Sequence, residues 1–239
     1  MKIGIITQPL RTNYGGILQN YALQTILKRR GHTVVTLGRE SLIRVKYPRY
    51  ILTLTKRFFL KCFGKYSGSL FREKKYNQDY PIFTQHTLRF VKERIHHTEI
   101  HDFSKELSHK DYDAYIVGSD QVWRPSYNKI ENMFLDFTSG WNVKRVAYAA
   151  SFGTDDWEFS KEQTETCQNL IKKFDAVSIR ENSGIKLCKD YLHADAIHVL
   201  DPTMLLQKQN RQKSLPARQN IQVTYTYRQR LYITGACAM

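Results

Sequence analysis

The sequence contains few of the residues on which several protein classes depend. It has 4 cysteines, 12 glycines and 6 prolines in 239 residues. These numbers exclude collagen-like chains, mucin-like stalks and disulfide-stabilised knots, each of which is rich in at least one of them. No apolar run approaches the roughly 20 residues of a membrane span. The start, MKIGIITQPL, has too short an apolar run for a secretory signal, so we interpret it as a buried strand.

The cysteines are too scattered to form a recognisable site. Cys62, Cys167, Cys188 and Cys237 form no CxxC pair, and two of them, Cys167 and Cys188, lie in amphipathic segments where a free cysteine packs as a small apolar residue. A disulfide framework is therefore not expected, and the sequence favours a reducing, cytoplasmic location.

Motifs for metals and nucleotides are also missing. His96, His97 and His101 resemble a metal patch, but Thr98 to Ile100 suggest a helix end, and no HExxH pattern accompanies them. The sequence lacks GxGxxG, GxxxxGK[ST] and GxSxG. We expect no metal and no cofactor.

The residues that are present indicate a folded globular chain. Apolar residues make up 41% of it and aromatic residues 13%, which is enough to form a core at this length. The formal net charge of +15 is concentrated in two segments. Residues 39–75 contain eleven Lys or Arg and two Glu, and residues 207–239 contain six and no acid, so the rest of the chain is neutral.

The first basic segment mixes its lysines and arginines with Leu, Phe and Tyr. We interpret residues 40–75 as a basic amphipathic insertion, expected to be exposed helix or disorder. This composition suits a membrane surface, which would make the protein peripheral at the inner membrane face. It is also compatible with nucleic acid, which we rank last because charged segments are usually solvated.

Apolar strand-like runs alternate with helical patterns through the neutral part. The expected strands cover residues 3–7, 33–37, 114–117, 146–150, 176–179 and 197–200. Helical patterns lie between them, including one that begins with a Ser160–Gln163 capping box and one over 182–192. This alternation predicts an α/β fold: a doubly wound parallel sheet with helices on both faces.

Four loops follow the expected strands and would lie at one edge of this sheet. They cover residues 13–16, 118–123, 180–181 and 201–203. The Gly15-Gly16 pair at a helix N-terminus favours an anion, although a tight turn explains it equally well. Asp120 is a candidate base or sugar ligand, or alternatively a cap.

The other two loops carry similar alternatives. Arg180 is a candidate ligand for a phosphate or carboxylate. It could instead form an ion pair with Glu181 or Asp175. Asp201-Pro202 is more typical of a turn than of a binding site.

Five segments in the same order resemble one family, the polysaccharide pyruvyl transferases. They are Thr12–Gln24, Tyr112–Trp123, Lys144–Gly153, Phe174–Glu181 and His198–Thr203. The resemblance covers residues 1–38 and about 76–206. It implies transfer of the enolpyruvyl carbons of phosphoenolpyruvate to two hydroxyls of a sugar or lipid-linked oligosaccharide, as a ketal, with release of phosphate. It also implies a Rossmann-like fold that forms the N-terminal half of a GT-B-like architecture.

The resemblance assigns roles to several residues. Asp120 is the expected catalytic residue. The expected substrate-binding residues are Asn13, Tyr14, Gly15, Gly16, Ser119 and Arg180. The alternatives are a non-catalytic sugar- or anion-binding α/β fragment and half of a GT-B glycosyltransferase.

The composition changes abruptly after residue 206. We interpret residues 1–206 as the Rossmann-like domain and residues 207–239 as an aberrant basic tail. Family members continue into a second α/β half that holds a further Arg and a His expected to act as the acid. We therefore expect a truncated or frameshifted product that binds phosphoenolpyruvate weakly and does not turn over.

Overall fold

The computed structural model describes residues 1–38 and 47–206. The expectations for 39–46, within the basic insertion, and for the tail from 207 onward fall outside these ranges. The strands are β1 (Lys2–Ile6), β2 (Thr33–Gly38), β3 (His97–Glu99), β4 (Ala114–Val117), β5 (Lys144–Ala150), β6 (Ala176–Ile179) and β7 (Ile197–His198). The helices are α1 (Tyr14–Arg29), α2 (Tyr47–Cys62), α3 (Arg72–Arg94), α4 (Phe103–Glu106), α5 (Ile130–Met133), α6 (Lys161–Ile171) and α7 (Asn182–Leu192).

The seven strands form one parallel sheet in the order β3-β2-β1-β4-β5-β6-β7. This order confirms the predicted α/β fold of Rossmann-like type. The chain runs outward from β1 to β3, and then returns to place β4 on the other side of β1. The carboxyl ends of β1 and β4 therefore meet where the strand order reverses, which is where open α/β sheets bind ligands.

Helices cover both faces of the sheet. On one face, Ile3 and Ile5 of β1 pack with Leu23 and Leu27 of α1. On the other face, alternate strand residues such as Tyr115 pack with side chains of α4, α5, α6 and α7. The sheet is therefore doubly wound, as predicted.

Cys167 and Cys188 belong to the buried core, as their amphipathic segments predicted. Burial raises the pKa of the Cys188 thiol to about 12 and raises that of Cys167 as well. Both thiols stay protonated at neutral pH, so neither is a nucleophile.

One strand of the sheet was not predicted. The sequence suggested a helix end at Thr98 to Ile100, whereas the helix ends at Arg94 and residues His97–Glu99 pair with β2 as β3. The strand is short and polar and lies at the sheet edge, so it lacks the apolar run that identified the others. His97 packs against Gly38 of β2, where an added Cβ would lie only 2.1 Å from its Nε2 atom.

Most of the described part of the basic insertion is helical, because α2 covers Tyr47–Cys62 and α3 begins at Arg72. Phe58, Phe59 and Leu60 lie in α2, not in a strand, and Phe58 and Phe59 are exposed, in agreement with the expectation of exposed helix. Within residues 1–38 and 47–206, no helix combines the length and apolar character required to span a bilayer.

Candidate functional site

The site is built first on the N-terminus of α1. Asn13 is the N-cap residue, and its Oδ1 atom accepts a hydrogen bond from the Gly16 N–H at 3.2 Å. The prediction of a loop over residues 13–16 was therefore wrong in part, because Tyr14, Gly15 and Gly16 form the first helical turn. The leading N–H groups of a helix have no intrahelical acceptor, so this end favours an anion.

The cap residue also contacts the loop after β4. The Asn13 Nδ2 atom donates to the Asp120 Oδ2 atom at 3.0 Å, joining positions 107 residues apart. The Asp120 Oδ1 atom accepts from the Gln121 N–H at 2.8 Å. Asp120 is only 8% exposed and does not cap a following helix, since α5 begins at Ile130. Its carboxylate is therefore fixed where the strand order reverses.

Gly16 permits this contact. A Cβ atom at position 16 would lie 2.6 Å from the Asp120 Oδ2 atom and 3.2 Å from the Asn13 Nδ2 atom. Any larger residue would push the carboxylate away from the helix. The second glycine of the pair is thus explained by the close approach of Asp120.

The loop after β4 begins with a backbone that only glycine tolerates. Gly118 has φ +135°, and a Cβ there would lie 2.0 Å from the Tyr148 carbonyl oxygen. The next peptide bond, Gly118–Ser119, is cis. Ser119 is buried, and its hydroxyl has no hydrogen-bond partner in the described part of the chain.

Arg180 reaches this loop from the end of β6. Its Nη1 atom donates to the Ser119 carbonyl oxygen at 3.3 Å and lies 3.6 Å from the Asp201 Oδ2 atom. Its Nε atom is 3.9 Å from the Glu181 Oε2 atom. The predicted ion pair with Glu181 is therefore present but long. The alternative pairing with Asp175 is wrong, because Asp175 instead bonds Lys144 and the Arg145 N–H.

An open pocket lies beside Arg180. It has a volume of about 520 Å³ and is lined by Ser151, Gly153, Thr154, Asp155, Arg180 and Glu181. The Arg180 side chain is 28% exposed, so its guanidinium is accessible to a ligand in this pocket. Tyr14, at the start of α1, is 66% exposed and is also free to contact a ligand.

Three residues near the site were not among the predicted site residues. The Gln19 Nε2 atom donates to the Asp201 Oδ2 atom, which is the oxygen nearest Arg180. The His198 Nε2 atom donates to the Arg180 carbonyl oxygen at 2.8 Å. Asp201 follows a predicted strand, and this position alone indicated a candidate site residue. Its Oδ1 atom also accepts from the Thr203 N–H, which agrees with the interpretation of Asp201-Pro202 as a turn. The sequence did not indicate a role for Gln19, because its partner lies 182 residues away.

Other groups limit the chemistry of the site. Burial raises the pKa of Tyr148 to about 12, and its hydroxyl donates to the Leu200 carbonyl oxygen at 3.3 Å. Tyr148 is therefore neutral at physiological pH. No cluster of three metal-ligating side chains occurs in residues 1–38 and 47–206.

The fold and this sheet edge define a Rossmann-like α/β protein with a helix N-terminus, a carboxylate and an arginine at the point where strand order reverses. The sequence model of the family Polysaccharide pyruvyl transferase matches residues 13–233. The chain therefore belongs to the polysaccharide pyruvyl transferase family, whose general activity is pyruvyl transfer to polysaccharides. The match begins at Asn13 and continues into the segment after residue 206. Comparison with curated proteins finds no significant match.

Proposed function

We propose that the protein transfers the pyruvyl group of phosphoenolpyruvate to two hydroxyls of a sugar in a bacterial surface polysaccharide unit. Both hydroxyl oxygens bond to carbon 2 of the pyruvyl group, and the bond from that carbon to the phosphate oxygen breaks. One hydroxyl proton is balanced by the proton that converts the methylene to a methyl group. The other leaves with the phosphate. The products are a pyruvate ketal and inorganic phosphate.

The observation that carries this proposal is the position of Arg180 in a family member. Phosphoenolpyruvate carries a phosphate and a carboxylate, and a guanidinium binds either group through two parallel hydrogen bonds. Arg180 faces the open pocket, while Asp201 and the Ser119 carbonyl oxygen hold it from behind. The backbone N–H groups at the N-terminus of α1 attract the same negative charge.

Asp120 is the proposed base for the attacking hydroxyl. A carboxylate can accept a proton from a hydroxyl within hydrogen-bond reach. Asn13 and the Gln121 N–H each donate to one of its oxygens, and this fixes its orientation. The buried Ser119 hydroxyl is a further donor for a substrate oxygen. Tyr14, Gly15 and Gly16 complete the proposed binding surface.

None of the residues in this proposed site is assigned to protonate the methylene carbon. The family resemblance assigns that acid to a His in a second α/β half. The described residues therefore supply the proposed anion site and base. Turnover by this chain tests whether the acid is available to it.

The test uses the full chain with phosphoenolpyruvate and a panel of β-galactosyl and mannosaminyl acceptors. Phosphate release and the acceptor mass are measured together. Asp120→Asn should lower whatever rate of phosphate release the parent shows by about 100- to 10,000-fold, the range for loss of a general base. Asp195→Asn, at an exposed position, is the matched control.

The outcomes separate the competing functions. Phosphoenolpyruvate binding without phosphate release from any acceptor would favour the non-catalytic anion-binding alternative. Transfer of a sugar from a nucleotide-sugar would favour a glycosyltransferase. Turnover that Asp120→Asn leaves unchanged would reject the proposed base.

A further inference from the structure

Helix α2 exposes an apolar stripe. Ile51, Leu52, Phe58 and Phe59 are 55%, 70%, 55% and 61% exposed. Spacings of seven and eight residues place them within one third of the helix circumference. Scattered exposed apolar residues are ordinary, but four large ones on one helical face form a patch that marks an interaction site.

The opposite side of α2 faces α3. Arg57 forms a two-pronged ion pair with Glu73, with distances of 2.6 and 2.7 Å, and also donates to the Leu70 carbonyl oxygen at 3.2 Å. The Arg57 and Glu73 side chains are only 16% and 20% exposed. This contact fixes the rotation of α2 and turns the stripe away from α3.

Lysines border the stripe on both sides. Viewed down the helix axis, Lys56 lies just beyond the edge that Leu52 forms. Lys61 lies beyond the opposite edge, which Phe58 forms. Both are exposed. Residues 39–75 contain only two acids, and one of these, Glu73, is already paired with Arg57. The positive charge around the stripe is therefore largely uncompensated.

We propose that α2 binds the surface of an anionic lipid bilayer, with its apolar stripe in the interface. An apolar face bordered by lysines is the arrangement of helices that lie in the plane of a membrane. The lysine stems extend along the apolar surface while the ammonium groups reach the lipid phosphates. Each such lysine contributes about fivefold to partitioning onto an anionic surface.

Other occupants match this surface less well. A second copy of the chain would bring an equally basic face, and a C2 contact would place like charges together. Cores of protein interfaces are also depleted of lysine. Nucleic acid would use the lysines and the rings of Phe58 and Phe59, but it would leave the aliphatic part of the stripe, Ile51 and Leu52, exposed to water. The membrane contact is independent of the proposed reaction, because it is measured without substrate.

The test is co-sedimentation of the full chain with vesicles of phosphatidylcholine, with and without phosphatidylglycerol. We expect binding to the anionic vesicles that weakens with salt, and little binding to the neutral ones. Phe58→Ser with Phe59→Ser should reduce binding at least about tenfold, since two large apolar side chains are lost. Lys56→Glu with Lys61→Glu should reduce it by a similar or larger factor.

Matched controls separate the stripe from general effects. Tyr127→Ser removes an aromatic ring of similar exposure, 57%, outside α2 and α3. Lys161→Glu with Lys172→Glu makes the same charge change at the two ends of α6. Both should bind as the parent does. Equal loss in the controls would show that only net charge or bulk apolarity matters, and would overturn the assignment.

Cys62 provides a second readout from the same face. It lies one turn beyond Phe58 and is exposed, whereas Cys167 and Cys188 are buried. With Cys237 changed to Ser, a polarity-sensitive fluorophore on Cys62 should shift to shorter wavelengths when anionic vesicles are added. No binding and no shift would reject the proposal. Self-association abolished by Phe58→Ser, without vesicle binding, would assign the stripe to a second copy.

Discussion

At the scale of single residues, Gly16 controls the contact between α1 and Asp120. We expect Gly16→Ala to lower the free energy of unfolding by about 1–3 kcal/mol, the usual range for an overpacked site. The reason is that the added Cβ would lie 2.6 Å from a carboxylate oxygen that Asn13 also holds. Urea denaturation measures the change.

Gly15→Ala is the matched control in the same helical turn. Among the described residues its Cβ would meet only the Asn13 Oδ1 atom, at 3.2 Å, and alanine favours the helix. We expect its stability to equal or slightly exceed that of the parent. Equal destabilisation by both substitutions would show that the Asp120 contact is not the cause.

Arg180 supports a second prediction. We expect Arg180→Ala to weaken phosphoenolpyruvate binding about 10- to 100-fold, the effect of losing hydrogen bonds to a charged group. Arg180→Lys should recover only part of this loss, because an ammonium cannot form the two-pronged contact. Titration calorimetry with phosphoenolpyruvate measures the affinity.

The control for Arg180 is Arg124→Ala. Arg124 is similarly exposed at 27% and pairs with Glu158, so the substitution removes the same charge away from the pocket. Its effect on phosphoenolpyruvate affinity should be small. If both variants lose affinity equally, the ligand responds to overall charge and Arg180 is not a ligand.

Contacts between residues were predictable only where topology forced them. Asn13, Asp120 and Arg180 each follow a parallel strand, so their meeting at one edge could be deduced from the parallel direction of the strands, and the structure brings them together. The Gln19–Asp201 contact depends on which side of α1 faces a turn that lies far along the chain. Sequence spacing does not encode that relation.

At the scale of elements, the cap of α1 serves both the helix and the site. We expect Asn13→Ala to lower stability by about 1–2 kcal/mol, the cost of losing an N-cap. It should also weaken phosphoenolpyruvate binding, because Asn13 caps the end of α1 that is proposed to bind the anion. Thermal unfolding and calorimetry give the two readouts.

Ser160→Ala provides the comparison. Ser160 and Gln163 form a complete capping box at the start of α6. The substitution should cost a similar stability, about 1 kcal/mol, and leave ligand affinity unchanged. A loss of affinity in Ser160→Ala would mean that binding follows global stability and not the Asn13 contact.

The ion pair between α2 and α3 gives a prediction about pH. The hydrogen bond from Arg57 lowers the pKa of Glu73 from 4.5 to about 2. Because the folded pKa is depressed, the contribution to stability is present above about pH 4.5 and is lost as the pH falls towards 2. The difference in unfolding free energy between the parent and Glu73→Gln should therefore shrink over that window. A difference that stays constant with pH would contradict the ion pair.

Elements were predictable where polar residues end an apolar run. The bounds of β4, β6 and α7 agree with the sequence because Gly118-Ser119-Asp120 and Arg180-Glu181 interrupt the pattern. β7 is shorter than predicted, ending at His198, since within the described sheet it lies at the edge and pairs only with β6. β3 was missed because an edge strand need not be apolar.

At the scale of the whole molecule, the sheet should be least stable at its edges. β1 and β4 are almost entirely buried and pair on both sides. β7 has two residues, both exposed, with Ile197 at 66%. Amides of central strands exchange only through global unfolding, typically about 5–15 kcal/mol above the native state, whereas edge amides exchange through local opening.

We therefore expect hydrogen–deuterium exchange to be slowest in β1, β4 and β5 and fastest in β3 and β7. The same experiment locates the ligand. Phosphoenolpyruvate should slow exchange in the peptides that carry Asn13–Gly16 and Gly118–Asp120, because bound N–H groups open less often, while α6 stays unchanged. Protection spread evenly over the sheet would indicate general stabilisation instead. Protection confined to β7 would move the binding site away from the point where the strand order reverses.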